Sequence, residues 1–317
     1  MHFKHLLIAA ACAALASTAA TAQTDYPNKP IRLIVPFGPG GTSDIMARMM
    51  QQPLGEALGR PVVIENKAGA GGAIGMNSLK TATPDGYTIG LSVIGPEILQ
   101  PALRNTGYTS DDFEHLCGTY EVPLVVMAKP DSSYQKLGDI IDQAKADPEA
   151  FVYGSSGTGT VLHLSMAMML DQANANGLHV PYKSSNDMVT GLLGGQVAAF
   201  TETPTIATQY KLKSLAVLAK DRLAAYPDVP TSAEAGFDLQ ASVWGGFIAP
   251  KGLPAEIRAK LEQACEQAAH TSFYQDKAQQ VNTPLVWRNG PAYEAFVNQE
   301  KQRYTHLIDT LNLADKQ

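Results

Sequence analysis

Short β-branched runs alternate along this chain with segments whose apolar residues fall at helical spacing. Residues 31–35 (Ile-Arg-Leu-Ile-Val) read as a buried strand. Residues 36–41 carry two prolines and three glycines, which end any ladder. Thr42, Ser43 and Asp44 are helix N-cap types. Ile45, Met46, Met49, Met50, Leu54, Ala57 and Leu58 follow at near-helical intervals, with Pro53 expected to kink or shorten the helix. The same unit recurs. A strand at 62–65 leads into a glycine-rich turn at 66–75 and a helix to 82, and a further strand spans 87–92. Thr109 to Phe113 reads as a capped turn, and an apolar strand at 123–128 offers a crossing into a second domain.

The second half repeats the scheme: helix 136–146, strand 151–154, a Ser/Thr/Gly loop at 155–160, helix 161–175 and strand 178–182. Ser184 to Asp187 signals a helix start for 188–193. Strands follow at 197–200 and 215–219, with a returning strand at 243–249. The remainder, 254–269, 271–280 and 291–311, reads as helix. Such alternation predicts parallel sheets with right-handed crossovers, in an α/β fold of two domains. Each half holds a strand, a glycine-bearing loop with hydroxyl residues, and a helix. A loop of this kind leaves backbone N–H groups at a positive helix end, a ready anion site. Ligands in open α/β sheets bind at the carboxyl ends of strands, so two such loops facing across a cleft would grip one anion from both sides. Neither the P-loop spacing nor Gly-x-Gly-x-x-Gly is present, so the loops suggest a small anion rather than a nucleotide.

Composition narrows the partners. The chain has 317 residues, 45% hydrophobic and only 17% charged, with a formal net charge of −6. Nucleic acid and anionic membrane surfaces call for basic patches, so neither is expected as a partner. The N-terminus carries a modest n-region (His2, Lys4, His5), an apolar stretch at 6–16 too short to span a bilayer, and Ala20-Thr21-Ala22 before a small-residue cleavage site. Residues 1–23 are therefore read as a signal peptide, cleaved after Ala22 or Gln23, with export to the periplasm. Export leaves Cys117 and Cys265 in an oxidising compartment, either bridged or as two buried free thiols.

Catalytic and metal patterns are weak. Gly-x-Ser-x-Gly fails at Thr158, and the histidines outside the signal show no metal-ligand spacing. No metal, cofactor or enzymatic activity is expected. His163, in the first turn of a helix, either donates to a bound carboxylate or packs locally. Tyr182 closes a strand and faces either cleft or core. Glu202, at a strand end, selects a ligand amine or hydroxyl, or is solvated. Trp244 reads as a hinge-packing aromatic or a stacking platform.

Several longer motifs carry a resemblance. Tyr26 to Asp44 (YPNKPIRLIVPFGPGGTSD), Glu65 to Gly72 (ENKAGAGG), Pro84 to Thr88 (PDGYT), Tyr153 to Gly159 (YGSSGTG), Val180 to Lys183 (VPYK), Leu192 to Val197 (LLGGQV) and Tyr226 to Gly236 (YPDVPTSAEAG) occur in order along the chain. In these the chain resembles the Bug family, the extracytoplasmic solute receptors of tripartite tricarboxylate transporters. The resemblance implies a type II periplasmic binding protein-like α/β fold, with two domains around a ligand cleft. We expect domain 1 at 24–124 plus 245–317 and domain 2 at 125–244. It implies a monomer that closes on a small carboxylate, a dicarboxylate or an aromatic acid, and delivers it to membrane transporter subunits. A sensory binding protein is the alternative, with an exported hydrolase behind it. Carried over, one loop supplies Phe37, Gly38, Gly40, Gly41, Thr42 and Asp44. The other supplies Ser155, Ser156, Gly157, Thr158, Gly159 and Thr160. More variable positions, Ser92 to Ile94, His163, Tyr182 and Glu202, would choose the rest of the ligand. Lys67-Ala68 and the run Ser184 to Asp187 depart from the family pattern.

Overall fold

A computed structural model describes residues 26–310; the expected signal peptide and its cleavage site lie outside the described residues. Two sheets form the framework. The first contains β1 (Ile31–Val35), β2 (Val62–Asn66), β3 (Thr88–Val93) and β4 (Phe113–Pro123). The second contains β5 (Val125–Ala128), β6 (Val152–Ser155), β7 (Leu178–Pro181), β8 (Ala199–Glu202) and β9 (Lys213–Val217). The chain then rejoins the first sheet through β10 (Ser242–Pro250) and β11 (Leu285–Asn289). Strand order is β11-β4-β10-β3-β1-β2 in the six-stranded sheet and β7-β6-β8-β5-β9 in the five-stranded one. This is the two-domain, type II-like α/β architecture expected from the alternation of elements.

The sheets are mixed rather than wholly parallel. β2, β1 and β3 run parallel, as do β7, β6 and β8. β10 enters antiparallel between β3 and β4, because the chain comes back from the second lobe in the opposite direction. β5 likewise lies antiparallel to both β8 and β9. The crossing between lobes falls at Leu124, and Ser242, Val243 and Trp244 already pair with Pro123, Val122 and Glu121 of β4.

The apolar runs become core for the expected reason. In β1 every residue but Arg32 is buried, and β3 is buried throughout. β4 was not legible as a strand: Glu114, His115, Thr119 and Glu121 interrupt its apolar pattern, yet it is nearly buried along its length because β10 and β11 flank it on both sides. The Thr42–Leu58 helix continues past Pro53 rather than ending there. Loss of one N–H donor there is offset by packing, since Met46, Met49, Met50 and Leu54 are all buried in the core. Trp244 is buried, donates its indole N–H to Glu300 at 3.1 Å, and meets Tyr293 and Phe296 edge-on. It is a core residue of the first lobe.

Cys117 of β4 and Cys265 of the Ala255–Ala269 helix form a disulfide across 148 positions of sequence. The bridged loop contains the entire second lobe, so the bond ties the outgoing and returning halves of the first lobe together. Cross-linking a loop of this length stabilises by roughly 2–5 kcal/mol, chiefly through the unfolded chain. Replacing both cysteines by alanine is expected to lower the unfolding free energy of the oxidised protein within that range. Chemical denaturation of the two forms side by side measures it, and equal midpoints would show that the bridge carries no stability.

Candidate functional site

The cleft lies where the carboxyl ends of β1 and β3 face those of β6 and β8. Three longer helices begin here: Thr42–Leu58 from the first lobe, and Val161–Gln172 and Ser185–Leu193 from the second. The lobes are closed on one another. Thr42 Oγ1 donates to Glu202 Oε1 at 3.1 Å and lies 2.7 Å from Thr203 Oγ1. Gln100 Nε2 donates to the Thr158 carbonyl at 2.9 Å, and the Gly38 N–H approaches the Lys183 carbonyl at 3.5 Å.

Each glycine loop is held chiefly by side chains. In the first, the Asp44 carboxylate accepts from the Gly40 N–H at 2.9 Å, from Arg48 Nε at 2.7 Å and from Asn66 Nδ2 at 2.9 Å. Asn66 also donates to the Phe37 carbonyl at 2.9 Å. Burial pushes the Asp44 carboxyl upward, but the donors from Arg48, Gly40 and Asn66 outweigh it and hold the pKa below its usual value. Gly40 sits at φ +82°, a conformation that favours glycine.

The second loop is built in parallel fashion. Ser155 Oγ bonds the Gly157 carbonyl at 2.9 Å, and Thr160 Oγ1 donates to the same carbonyl at 2.8 Å. Ser155 also meets His179 Nε2 at 2.7 Å, and the Gly159 N–H donates to His163 Nδ1 at 3.2 Å. The two imidazoles stack with centroids 3.9 Å apart, beside the Tyr153 ring. Both are depressed from 6.5 to about 4, by burial first, then by the charge of Arg104 for His163 and by His163 for His179.

Between the loops is a narrow cavity of about 30 Å³. Of the residues expected from sequence, Phe37, Gly41, Thr42, Val93, Ile94, Ser156, Thr160 and Glu202 line it. Ser43, Gly95, Val161, Leu162, Ser185 and Val243 complete its wall. A wider recess of about 280 Å³ adjoins it, sharing Phe37 and Ser156 and adding Gly157, Thr158 and Tyr182, with Gly69 to Gly72, Arg104 and Lys183. Gly38, Gly40, Asp44, Ser155, Gly159 and His163 lie on neither wall. Asp44, Ser155 and His163 act one step back, holding the loops in shape.

Ser92 is placed elsewhere. Its hydroxyl turns into the first lobe, bonding Glu97 and lying 2.6 Å from the Tyr293 hydroxyl. Glu97 is fully buried and also meets His115 Nε2 at 2.5 Å and Ser110 at 3.2 Å. Alternation along β3 explains the placement: with Ser92 turned inward, Val93 turns to the cavity, and Ile94 reaches it because the chain has already left the strand for helical backbone there. Ser185 was missed because Ser184 and Ser185 read together as a helix start. Ser184 is the cap, accepting from the Asp187 N–H, which leaves Ser185 free to face the cleft.

Glu202 is 2% exposed. Oε1 accepts from Thr42 and, at 2.7 Å, from the Thr203 N–H; Oε2 accepts from the Ser185 hydroxyl. Burial raises its pKa, against the pull of these donors.

The tripartite tricarboxylate transporter family receptor model matches residues 46–313. The chain belongs to that family. A UPF0065 protein of Bordetella pertussis is 37% identical over 269 residues, 83% of each chain. The periplasmic binding protein BugD superposes with a TM-score of 0.87 at 30% identity, over 92% of this chain and all of that one. MatC from Rhodopseudomonas palustris with bound malate gives 0.84 at 26% identity, covering 89% and 100%. A second R. palustris protein, with adipate, gives 0.84 at 26% identity, covering 92% and 99%. The Bug resemblance read from the motifs thus holds, and the family is one of periplasmic solute-binding receptors rather than enzymes.

Two outcomes follow from this geometry. His163 and His179 are held neutral in the fold, while in the unfolded chain they take protons below about 6.5. Their contribution to stability is therefore present above that pH and is lost as pH falls toward about 4. The melting temperature is expected to drop across that window, and less so in His163→Asn/His179→Gln; parallel curves would remove the histidines as the cause. A Cβ at Gly41 would stand 3.1 Å from Ser185 Oγ across the cleft, whereas one at Gly159 would strike Leu103 at 2.5 Å with φ at +73°. Gly41→Val is therefore expected to fold but close poorly, with an increased radius of gyration by small-angle scattering. Gly159→Val is expected to lose stability as well.

Proposed function

We propose that this receptor captures a small carboxylate, a dicarboxylate or an aromatic acid, in the periplasm and delivers it to a tripartite-type membrane transporter. The observation that carries the reading is the meeting of two braced glycine loops, one per lobe, at the start of helices that leave backbone N–H groups unpaired. The malate and adipate in the related structures support the dicarboxylate branch. The mature receptor acts as a monomer of two domains, residues 24–124 with the returning C-terminal part, and the inserted segment between.

Capture works by closure. A ligand shifts the open–closed equilibrium only by its differential affinity for the two states. Loop donors reach one carboxylate from both sides only when the lobes meet, so the closed form gains the bonds. Each hydrogen bond to a charged carboxylate contributes roughly 1.5–3 kcal/mol, and a few suffice to favour closure after ordering costs. No covalent step is needed.

A thermal-shift screen of the mature protein against mono-, di- and tricarboxylates and aromatic acids tests this directly. Ligand at a hundred times its Kd stabilises by about 2.7 kcal/mol and raises the melting temperature by several degrees. At least one acid is expected to do so and to be recovered unchanged. No shift with any acid, together with no small molecule released on denaturation and seen by mass spectrometry, would overturn the carboxylate reading.

A further inference from the structure

Among the described residues, Glu202 is the one ionisable side chain on the wall of the central cavity. No cation lines that wall. A plain carboxylate beside an ionised Glu202 would set two like charges side by side with no cation on the wall to offset them, which is strongly unfavourable. Glu202 cannot turn away. It is anchored at both oxygens by Thr42, Thr203 and Ser185, and so is fixed from both lobes at once. Oε1 accepts from Thr42 and the Thr203 N–H, and the Thr203 hydroxyl also lies against the group; Oε2 bonds only the Ser185 hydroxyl, so a ligand donor would be taken up on that side. The rest of the wall near it is apolar or weakly polar: Val93, Ile94, Leu162 and Val243 offer no side-chain donor.

We propose that Glu202 is a specificity-determining residue that selects acids bearing a hydroxyl or ammonium donor on the carbon next to their carboxylate, over the corresponding plain acids. The donor meets Glu202 while the ligand carboxylate lies against the loop N–H groups, so the two negative groups are separated by the donor rather than facing one another. Hydroxy and amino acids share this chemistry, and an ammonium adds a compensating charge. The inference rests on the carboxylate-receptor reading above.

Calorimetric titration of the full mature chain distinguishes the two. Three families of acid serve as probes: succinate, malate and aspartate; propanoate, lactate and alanine; 3-phenylpropanoate, phenyllactate and phenylalanine. In at least one family a donor-bearing acid is expected to bind tenfold or more tighter than its plain counterpart, the scale of one hydrogen bond to a charged group. Glu202→Gln, of nearly the same shape, is expected to bring that ratio toward one by weakening the donor-bearing acid, most of all the ammonium form. Its melting temperature shows whether it folds, and if it does not, the wild-type ratios alone decide. Plain acids that bind as tightly as their hydroxy and amino counterparts would overturn this inference and leave the receptor reading intact. The same holds for a ratio unchanged in Glu202→Gln. Absence of binding by every probe, with no retained ligand, would overturn both.

Discussion

A carboxylate buried between two lobes is stable only where donors reach it from both, and Glu202 imposes that condition on the whole cleft. Its oxygens collect a hydroxyl from the first lobe, and a hydroxyl and a backbone N–H from the second. Hydrogen bonds to an ionised group are worth about twice neutral ones, and leaving one unpaired in the interior costs more than it gains. Closure is thus polar and geometric rather than greasy. The lobes meet at Thr42, Thr203 and Ser185, and at the Gln100 contact with the second loop, where solvent can replace every bond when the lobes part. An interface held by such bonds suits a reversible trap.

The glycine loops depend on a second layer. Most bonds that shape the loops come from side chains set behind them. Asp44, Asn66 and Arg48 supply them for the first loop; Ser155, Thr160, His163 and His179 supply them for the second. The solutions differ in charge. The first is an ionised carboxylate held low by its donors, and the second a stacked pair of imidazoles held neutral by burial. The two lobes therefore respond differently to acid although their backbones are built alike.

The disulfide belongs to this logic at a larger scale. The second lobe is inserted into the first, so β4 must leave and β10 must return to the same sheet. β10 lies between β3 and β4, and Cys117 to Cys265 fastens β4 to a helix that follows the return. The first lobe is thereby a fixed base, and relative motion is left to the two crossings near Leu124 and Ser242.

Local signals in the chain determined much of this. β-branched runs placed β1, β3 and β6 to within a residue or so, and prolines and glycines marked both anion loops, because these depend on backbone sterics that act over a few positions. The family motifs brought Phe37, Gly41, Thr42, Ser156 and Thr160 to the cavity. What tertiary structure alone decided was direction and neighbourhood. Whether Ser92 faced cleft or core turned on the pleat of a strand and on Glu97 waiting behind it. Whether Cys117 and Cys265 met turned on strand order across a long insertion. β4, with charged residues along it, became a strand only because two others flank it. Asn66, His179 and Ser185 act through partners remote in sequence, and Glu202 became the centre of the site only when Thr42, 160 positions away, closed over it. Short-range preference is written in the chain, but a hydrogen bond between distant residues exists only once the fold has brought them together.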